Sequence, residues 1–149
     1  MFVTLYFSRY IDQWSYLVTH TAAIMQFMQL IAQKIPLSEL NNMAKSGFGN
    51  LVKAVVDLEK SVMVVDASLH SDEEAYLLEN GSIQQNLWGI NLYPDLYGTD
   101  DFIEYDSMIN LRPNSGNLSR GVDNAQTRKK IKDLVDKLVT KWSSIKTSL

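Results

Sequence analysis

A run of apolar residues at helical spacing near the C-terminus constrains the fold of this chain more than any other feature. The residues stand at positions i, i+3, i+4, i+7, i+8 and i+11, and they are Ile131, Leu134, Val135, Leu138, Val139 and Trp142. This spacing predicts a long amphipathic helix, capped by Asp123, with its basic residues mostly off the apolar stripe. A helix with one apolar face needs a second layer to cover it, so we expect it to pack against a sheet.

Five segments are predicted to be strands. Residues 52–58 and 62–69 are dense in valine, and only three residues separate them, which predicts a hairpin. Residues 87–93 and 102–111 are two further long candidates, and residues 28–31 are a short one. The expected fold class is α+β, with a four- or five-stranded antiparallel or mixed sheet and helices packed on one face.

Two further helices are indicated by their end signals. Pro36 suits the first turn of a helix that Gly47 would end. Ser71 is a candidate N-cap, and Glu74 three residues later would complete a capping box. The acidic start of this second helix also suits the positive end of the helix dipole.

The chain is long enough for one domain with a real core. We expect residues 28–149 to form that single α+β domain. Residues 1–27 hold many aromatics and show no clean period, and Met25 and Met28 are plausible start codons. We therefore expect residues 1–27 to be an N-terminal extension, either a gene-start artefact or a segment packed loosely on the domain.

Alternate residues of a strand face opposite sides of its sheet, and this sorting gathers polar groups on one face. The groups are Asp57 and Glu59, Asp66 and His70, Asn91 and Tyr93, and Glu104, Asp106, Asn110 and Arg112. One interpretation is a solvated sheet face, which is common in antiparallel sheets. The other is a shallow site, and the mixture of acids, amides, histidine and arginine favours it.

The candidate catalytic residues of such a site are His70, Asp57, Glu59 and Asp106. His70 precedes the acidic helix start, where Glu73 or Glu74 would raise its pKa, so a general base is one interpretation and a structural histidine the other. Oxygen ligands among these carboxylates would suit a divalent cation, but their spacing is not diagnostic and no metal site is assigned.

The candidate ligand contacts are amide, phenol and guanidinium groups. They are Asn91, Tyr93, Asn110, Arg112 and Arg120. Arg112 and Arg120 flank the polar loop of residues 114–120, and together they would grip a phosphate or carboxylate. An ordinary connection into the last helix is the alternative interpretation.

Charge and composition exclude several classes of protein. Residues 1–119 carry 6 Lys/Arg and 14 Asp/Glu, whereas residues 120–149 carry 8 and 3. A basic tail is compatible with nucleic acid, but no basic stripe is interleaved with aromatics, so we expect a solvated helix face instead. Cysteine is absent, which excludes disulfides and cysteine nucleophiles and fits a cytoplasmic protein. No apolar run is long enough to span a membrane.

Four segments resemble a small uncharacterised prokaryotic family, frequent in cyanobacteria, that is known only as a domain of unknown function. They are residues 50–60 (NLVKAVVDLEK), 69–74 (LHSDEE), 86–94 (NLWGINLYP) and 106–113 (DSMINLRP). The resemblance covers about residues 28–139 and implies an intracellular prokaryotic protein. It implies no activity, cofactor or site residues. The family tends to have an arginine where this chain has Leu118, which weakens an anion grip by that loop.

Two functions remain open from the sequence. The first is a small non-catalytic binding or interaction module, with a homodimer or another protein as the expected partner, because no catalytic spacing is present. The second is a small hydrolase or nuclease-like enzyme that uses the polar face with His70 and Arg112.

Overall fold

The structure is a computed structural model that describes residues 28–142. The expectation for residues 1–27 lies outside the described residues. The elements are β1 (Gln29–Ile31), β2 (Ile35–Pro36), α1 (Leu37–Ser46), β3 (Val52–Asp57), β4 (Val62–Val65), α2 (His70–Glu79), β5 (Leu87–Leu92), β6 (Ile103–Glu104), α3 (Ala125–Leu138) and β7 (Val139–Thr140). Five strands form an antiparallel sheet in the order β1-β4-β3-β5-β6, and β2 pairs in parallel with β7. The predicted α+β fold class is confirmed.

The β3–β4 hairpin forms where the valine-rich segments predicted it. Asp57 pairs with Val62, and between them the Oδ1 atom of Asp57 accepts hydrogen bonds from the backbone N–H groups of Glu59 and Lys60 at 2.9 and 3.0 Å. Ser61 takes a left-handed φ of 56°, a conformation that usually favours glycine or asparagine. The Asp57 side chain therefore organises a turn that has no glycine.

Helices cover both faces of the sheet, which differs from the expected packing on one face. Ala54 and Val56 lie in the larger core, with residues of α1 and α3. Val55 and Val64 point the other way and pack with Leu77 of α2. The strand centres are apolar on both sides, and a sheet face of that kind must be covered by another element.

Two helices begin before or after the expected position, α3 by one residue and α2 by two. α3 is capped by Asn124, whose side chain accepts from the N–H of Thr127 at 3.0 Å, and not by Asp123. α2 begins at His70 without a side-chain cap, so the capping box of Ser71 and Glu74 does not form.

At the end of α3 the last turn stops at Leu138, and Trp142 is 77% exposed. In residues 28–142, no helix has the length and apolar character needed to cross a membrane.

The predicted strand 102–111 forms over only two residues. β6 pairs Glu104 with Asn91 and Ile103 with Leu92, and the chain then leaves the sheet. A 3-10 turn at Met108–Asn110 follows, with Ser107 as its cap. The turn crosses over Gly89 of β5. Only glycine leaves room for the turn here, because a Cβ atom at this position would collide with Ser107.

We expect Gly89→Ala to destabilise the fold. A Cβ atom at this position would lie 2.5 Å from Ser107 Oγ and 2.6 Å from Ser107 Cβ. Because overpacking in a well-packed interior costs about 1–3 kcal/mol, chemical denaturation should show a loss in that range or larger.

The control is the double variant Gly89→Ala/Ser107→Gly. Removing the serine side chain makes room for the new methyl group, so the double variant should recover part of the lost stability. A Gly89→Ala protein as stable as the wild type would show that the 3-10 turn does not pack on β5 as described.

Candidate functional site

Seven polar residues meet on the side of the sheet that carries α2, and we call them the polar cluster. They are Asn91, Tyr93, Glu104, Asp106 and Arg120, which are joined by contacts, together with His70 and Lys53, whose charge acts on His70. Asn91 Nδ2 donates to Glu104 Oε2 at 2.8 Å, and the hydroxyl of Tyr93 donates to the same oxygen at 3.0 Å. The alternation of β5 and β6 therefore brings Asn91 and Tyr93 together on Glu104. Asp106 lies next to them.

Asp106 and Arg120 form a two-pronged ion pair at the edge of the polar cluster. Arg120 Nε lies 2.8 Å from Asp106 Oδ1, and Arg120 NH2 donates to Oδ2 at 3.0 Å. Both side chains are about half exposed, and exposed pairs of this kind contribute about 0–1 kcal/mol. The ion pair therefore occupies the guanidinium of Arg120, which was expected to bind an anion.

His70 is buried at the first position of α2 and is 8% exposed. Its Nε2 atom lies 2.8 Å from the carbonyl oxygen of Ile90, so this nitrogen carries the proton and donates it. Burial lowers the pKa of His70 to about 4, with smaller contributions from Lys53 and Arg120, and the Ile90 carbonyl opposes the shift. The expected rise of its pKa is wrong, because desolvation outweighs the Ile90 carbonyl and the Asp106 carboxylate, the two groups that act to raise it.

The other two candidate catalytic residues lie at the opposite end of the sheet. Asp57 pairs with Leu87, three residues along β5 from the Ile90 carbonyl that binds His70. Three residues of strand span about 10 Å. Asp57 is buried in the hairpin turn, and Glu59 is exposed in the same turn. The four candidates therefore do not meet at one site, and among residues 28–142 no three acidic or histidine side chains form a metal-binding group.

Asn110 and Arg112 bind the backbone of β5 instead of facing a shared pocket. The side-chain amide of Asn110 accepts from the N–H of Gly89 and donates to its carbonyl, both at 2.8 Å. Arg112 donates to the carbonyl of Leu87, and also to that of Gln84 at 2.7 Å. Its guanidinium stacks on the Trp88 ring, 4.2 Å from the centroid. Both side chains hold the outer edge of the sheet.

Glu73 is a buried acid, whereas the sequence indicated only a negative charge that suits the helix dipole. It is fully buried, and its Oε1 accepts from the N–H of Ala67 at 3.1 Å. Burial raises the pKa of Glu73 well above its ordinary value. Its Oε2 has no partner within the part of the chain that the structure describes. The signal that could have found it is its spacing of four from Leu77, which places both on the buried face of α2.

A separate cleft, which we call the α3 cleft, lies between α3 and the loop of residues 94–102. Its volume is about 540 Å³, within the range of small-molecule sites. It is lined by Tyr97, Gly98, Thr99, Asp100, Phe102, Ile103, Tyr105, Arg128, Lys129, Lys132 and Asp136. Sequence reasoning missed it, although the excess of basic residues after position 119 was the signal.

The two lysines of the α3 cleft are held loosely, and its arginine is not. Lys129 pairs with Asp133 at 2.6 Å, and Lys132 pairs with Asp136 at 2.7 Å, each one helical turn apart and exposed. Arg128 is fixed more firmly, because its NH1 donates to the carbonyls of Val122 and Asp123. Exposed pairs at this spacing contribute only about 0.3–0.5 kcal/mol, so both lysines can turn toward another anion.

Together these observations define a small α+β domain with a five-stranded antiparallel sheet, a polar cluster on one side of it and a cationic cleft beside its last helix. The model of a family described as "Protein of unknown function (DUF5674)" matches residues 29–138. The chain belongs to this family, so the expected resemblance to a family of unknown function is confirmed. No curated protein and no solved structure matches the chain.

We expect Asn110→Ala to lower the free energy of unfolding by about 3 kcal/mol, because it leaves the N–H and C=O of Gly89 unpaired in a buried place. Asn114→Ala, at an exposed position in the next turn, should change the stability by less than about 0.5 kcal/mol. Urea denaturation of both variants checks this. Equal, small losses would show that Asn110 does not seal the sheet edge.

The stability contributed by His70 should depend on pH. Its pKa is lower in the folded chain than the ordinary 6.5, so its contribution is complete above about pH 6.5 and declines as the pH falls toward 4. The shift corresponds to about 3 kcal/mol. The stability difference between wild type and His70→Gln should therefore shrink by roughly that amount between pH 7 and pH 4.

Taking the difference between the two proteins cancels the opposite slope of Glu73, whose raised pKa removes stability as the pH rises. Ser71→Ala, an exposed neighbour that does not titrate, should keep the slope of the wild type. A pH-independent difference for His70→Gln would contradict the buried, neutral imidazole.

Proposed function

We propose that this protein is a small non-catalytic binding module whose ligand is a small organic anion held in the α3 cleft. The observation that supports this most is the cleft itself, which combines about 540 Å³ of volume with three cationic side chains, Arg128, Lys129 and Lys132. Aromatic walls and a few convergent charged groups are the usual composition of a small-molecule site.

The arrangement of the cations favours an anion with more than one charged oxygen. Arg128 is anchored by backbone carbonyls and presents its guanidinium in a fixed place. Lys129 and Lys132 follow it at one and four positions along α3, and each gives up only a weak exposed ion pair to reach a ligand. Phosphate and carboxylate groups match such donors with charge-assisted hydrogen bonds.

The alternative of a hydrolase or nuclease-like enzyme receives less support from the geometry. A general base must lie within hydrogen-bond reach of the proton that it removes. His70 is buried, with its Nε2 proton donated to a backbone carbonyl, Asp106 is paired with Arg120, and Asp57 and Glu59 lie at the other end of β3. The polar cluster fits a structural role better, since Glu104 is shared by Asn91 and Tyr93 and Asp106 is paired with Arg120, all within the cluster.

Two further proposals concern the setting of the protein. The family match over residues 29–138 supports a single domain beginning near residue 28. The complete absence of cysteine supports a reducing compartment such as the cytoplasm, where disulfides are not maintained.

Calorimetric titration with inorganic phosphate tests the site. The double variant Lys129→Gln/Lys132→Gln should bind phosphate about tenfold more weakly, because two charge-assisted contacts are removed. The matched control is Lys130→Gln/Lys137→Gln, which removes the same number of charges from lysines of the same helix that do not line the α3 cleft.

The control should retain the affinity of the wild type. Absence of phosphate binding by the wild type, or an equal loss in Lys130→Gln/Lys137→Gln, would contradict the proposal, because the second result would mean that only the overall charge of α3 matters.

A further inference from the structure

We infer that the ligand of the α3 cleft is a sugar phosphate, that is, a phosphate ester whose carbon skeleton carries several hydroxyl groups. This inference rests on the proposed function of the cleft. It depends on a feature that a site for a bare anion would not need, namely a carboxylate, Asp100, on the wall that faces the cations, in addition to Asp136, which is paired with Lys132 on the cationic wall itself.

Asp100 lies on the loop side of the cleft, opposite α3. It opens the 3-10 turn Asp100–Phe102, which Thr99 caps by accepting from the N–H of Asp101 at 3.3 Å. The hydroxyl of Thr99 also donates to the carbonyl of Leu96 at 2.7 Å, which ties the loop to itself. Lys132 experiences the charge of Asp100, so the carboxylate lies near the cationic wall.

A carboxylate in this place repels a phosphate group that binds next to it. An ionised carboxylate only accepts hydrogen bonds, and sugar hydroxyl groups are donors that satisfy it. A ligand with a phosphate at one end and hydroxyls at the other therefore matches both walls, with the phosphate toward Arg128 and Lys129 and the hydroxyls toward Asp100.

The aromatic residues supply the third element of the match. Tyr97 packs edge-to-face on Phe102, with ring centroids 5.1 Å apart and an angle of 80° between the rings, so its orientation is fixed. On the other side, the Tyr105 hydroxyl donates to the carbonyl of Arg128 at 3.2 Å. Both tyrosines line the cleft, and their flat faces can cover the apolar C–H face of a sugar ring.

The test is a set of calorimetric titrations with inorganic phosphate, butyl phosphate and ribose 5-phosphate. The wild type should bind ribose 5-phosphate at least about tenfold more tightly than butyl phosphate, because only the sugar satisfies the carboxylate. Asp100→Asn should weaken ribose 5-phosphate about tenfold but strengthen inorganic phosphate, since it removes a repulsive charge. Effects of opposite sign distinguish a contact with hydroxyl groups from a change in overall charge.

Asp101→Asn is the matched control, because this neighbouring acid does not line the cleft and should leave both affinities unchanged. Tyr97→Ala, as a second variant, should weaken ribose 5-phosphate and not inorganic phosphate. The inference is overturned if ribose 5-phosphate binds no better than butyl phosphate, or if Asp100→Asn shifts both ligands in the same direction. If inorganic phosphate does not bind the wild type at all, the proposed function of the cleft is contradicted. That outcome differs from the two results above, which overturn only the assignment of a sugar phosphate.

Discussion

The outer edge of β5 sets the requirement on which the rest of the structure depends. The N–H and C=O groups of alternate residues along this edge point away from β3, and they need partners. β6 satisfies only the end of the edge near Asn91 and Tyr93, where Tyr93 N–H donates to the carbonyl of Phe102 at 2.9 Å. Further along the edge, side chains supply the hydrogen-bond partners. Asn110 binds the backbone of Gly89, and Arg112 binds the carbonyl of Leu87. Along this part of β5, an amide and a guanidinium therefore take the place of a neighbouring strand.

This substitution frees the chain to leave the sheet after Glu104, and both surface features follow from that departure. On the α2 side, Glu104 and Asp106 belong to the polar cluster. The ion pair between Asp106 and Arg120 lies at the edge of that cluster. On the other side, Ile103 and Tyr105 form the wall of the α3 cleft. Asn117 holds the returning loop, because its amide donates to the carbonyl of Asn110 at 2.7 Å and accepts from the N–H of Asp123 at 2.8 Å.

The sequence was sufficient for most of the framework and for only part of the chemistry. The period of the last helix and the valine content of the hairpin follow from local residue pattern, and both are present in the structure. The segment 102–111 was misleading because Asn110 and Arg112 keep the alternation of a strand while using side chains, and not backbone, to bind β5. The pKa of His70 was misjudged for a related reason, since it depends on burial that only the packing of α2 creates, and the raised pKa of Glu73 has the same origin.

The central claim is that the α3 cleft binds ligand and the polar cluster stabilises the fold. Backbone amide chemical-shift mapping of the protein with inorganic phosphate tests it directly, because it reports every described region at once. The account predicts progressive, saturable shifts at Gly98, Thr99 and the residues near Lys129 and Lys132, with His70 and Arg120 unaffected. Shifts centred on His70, Asp106 and Arg120, with the cleft silent, would contradict it.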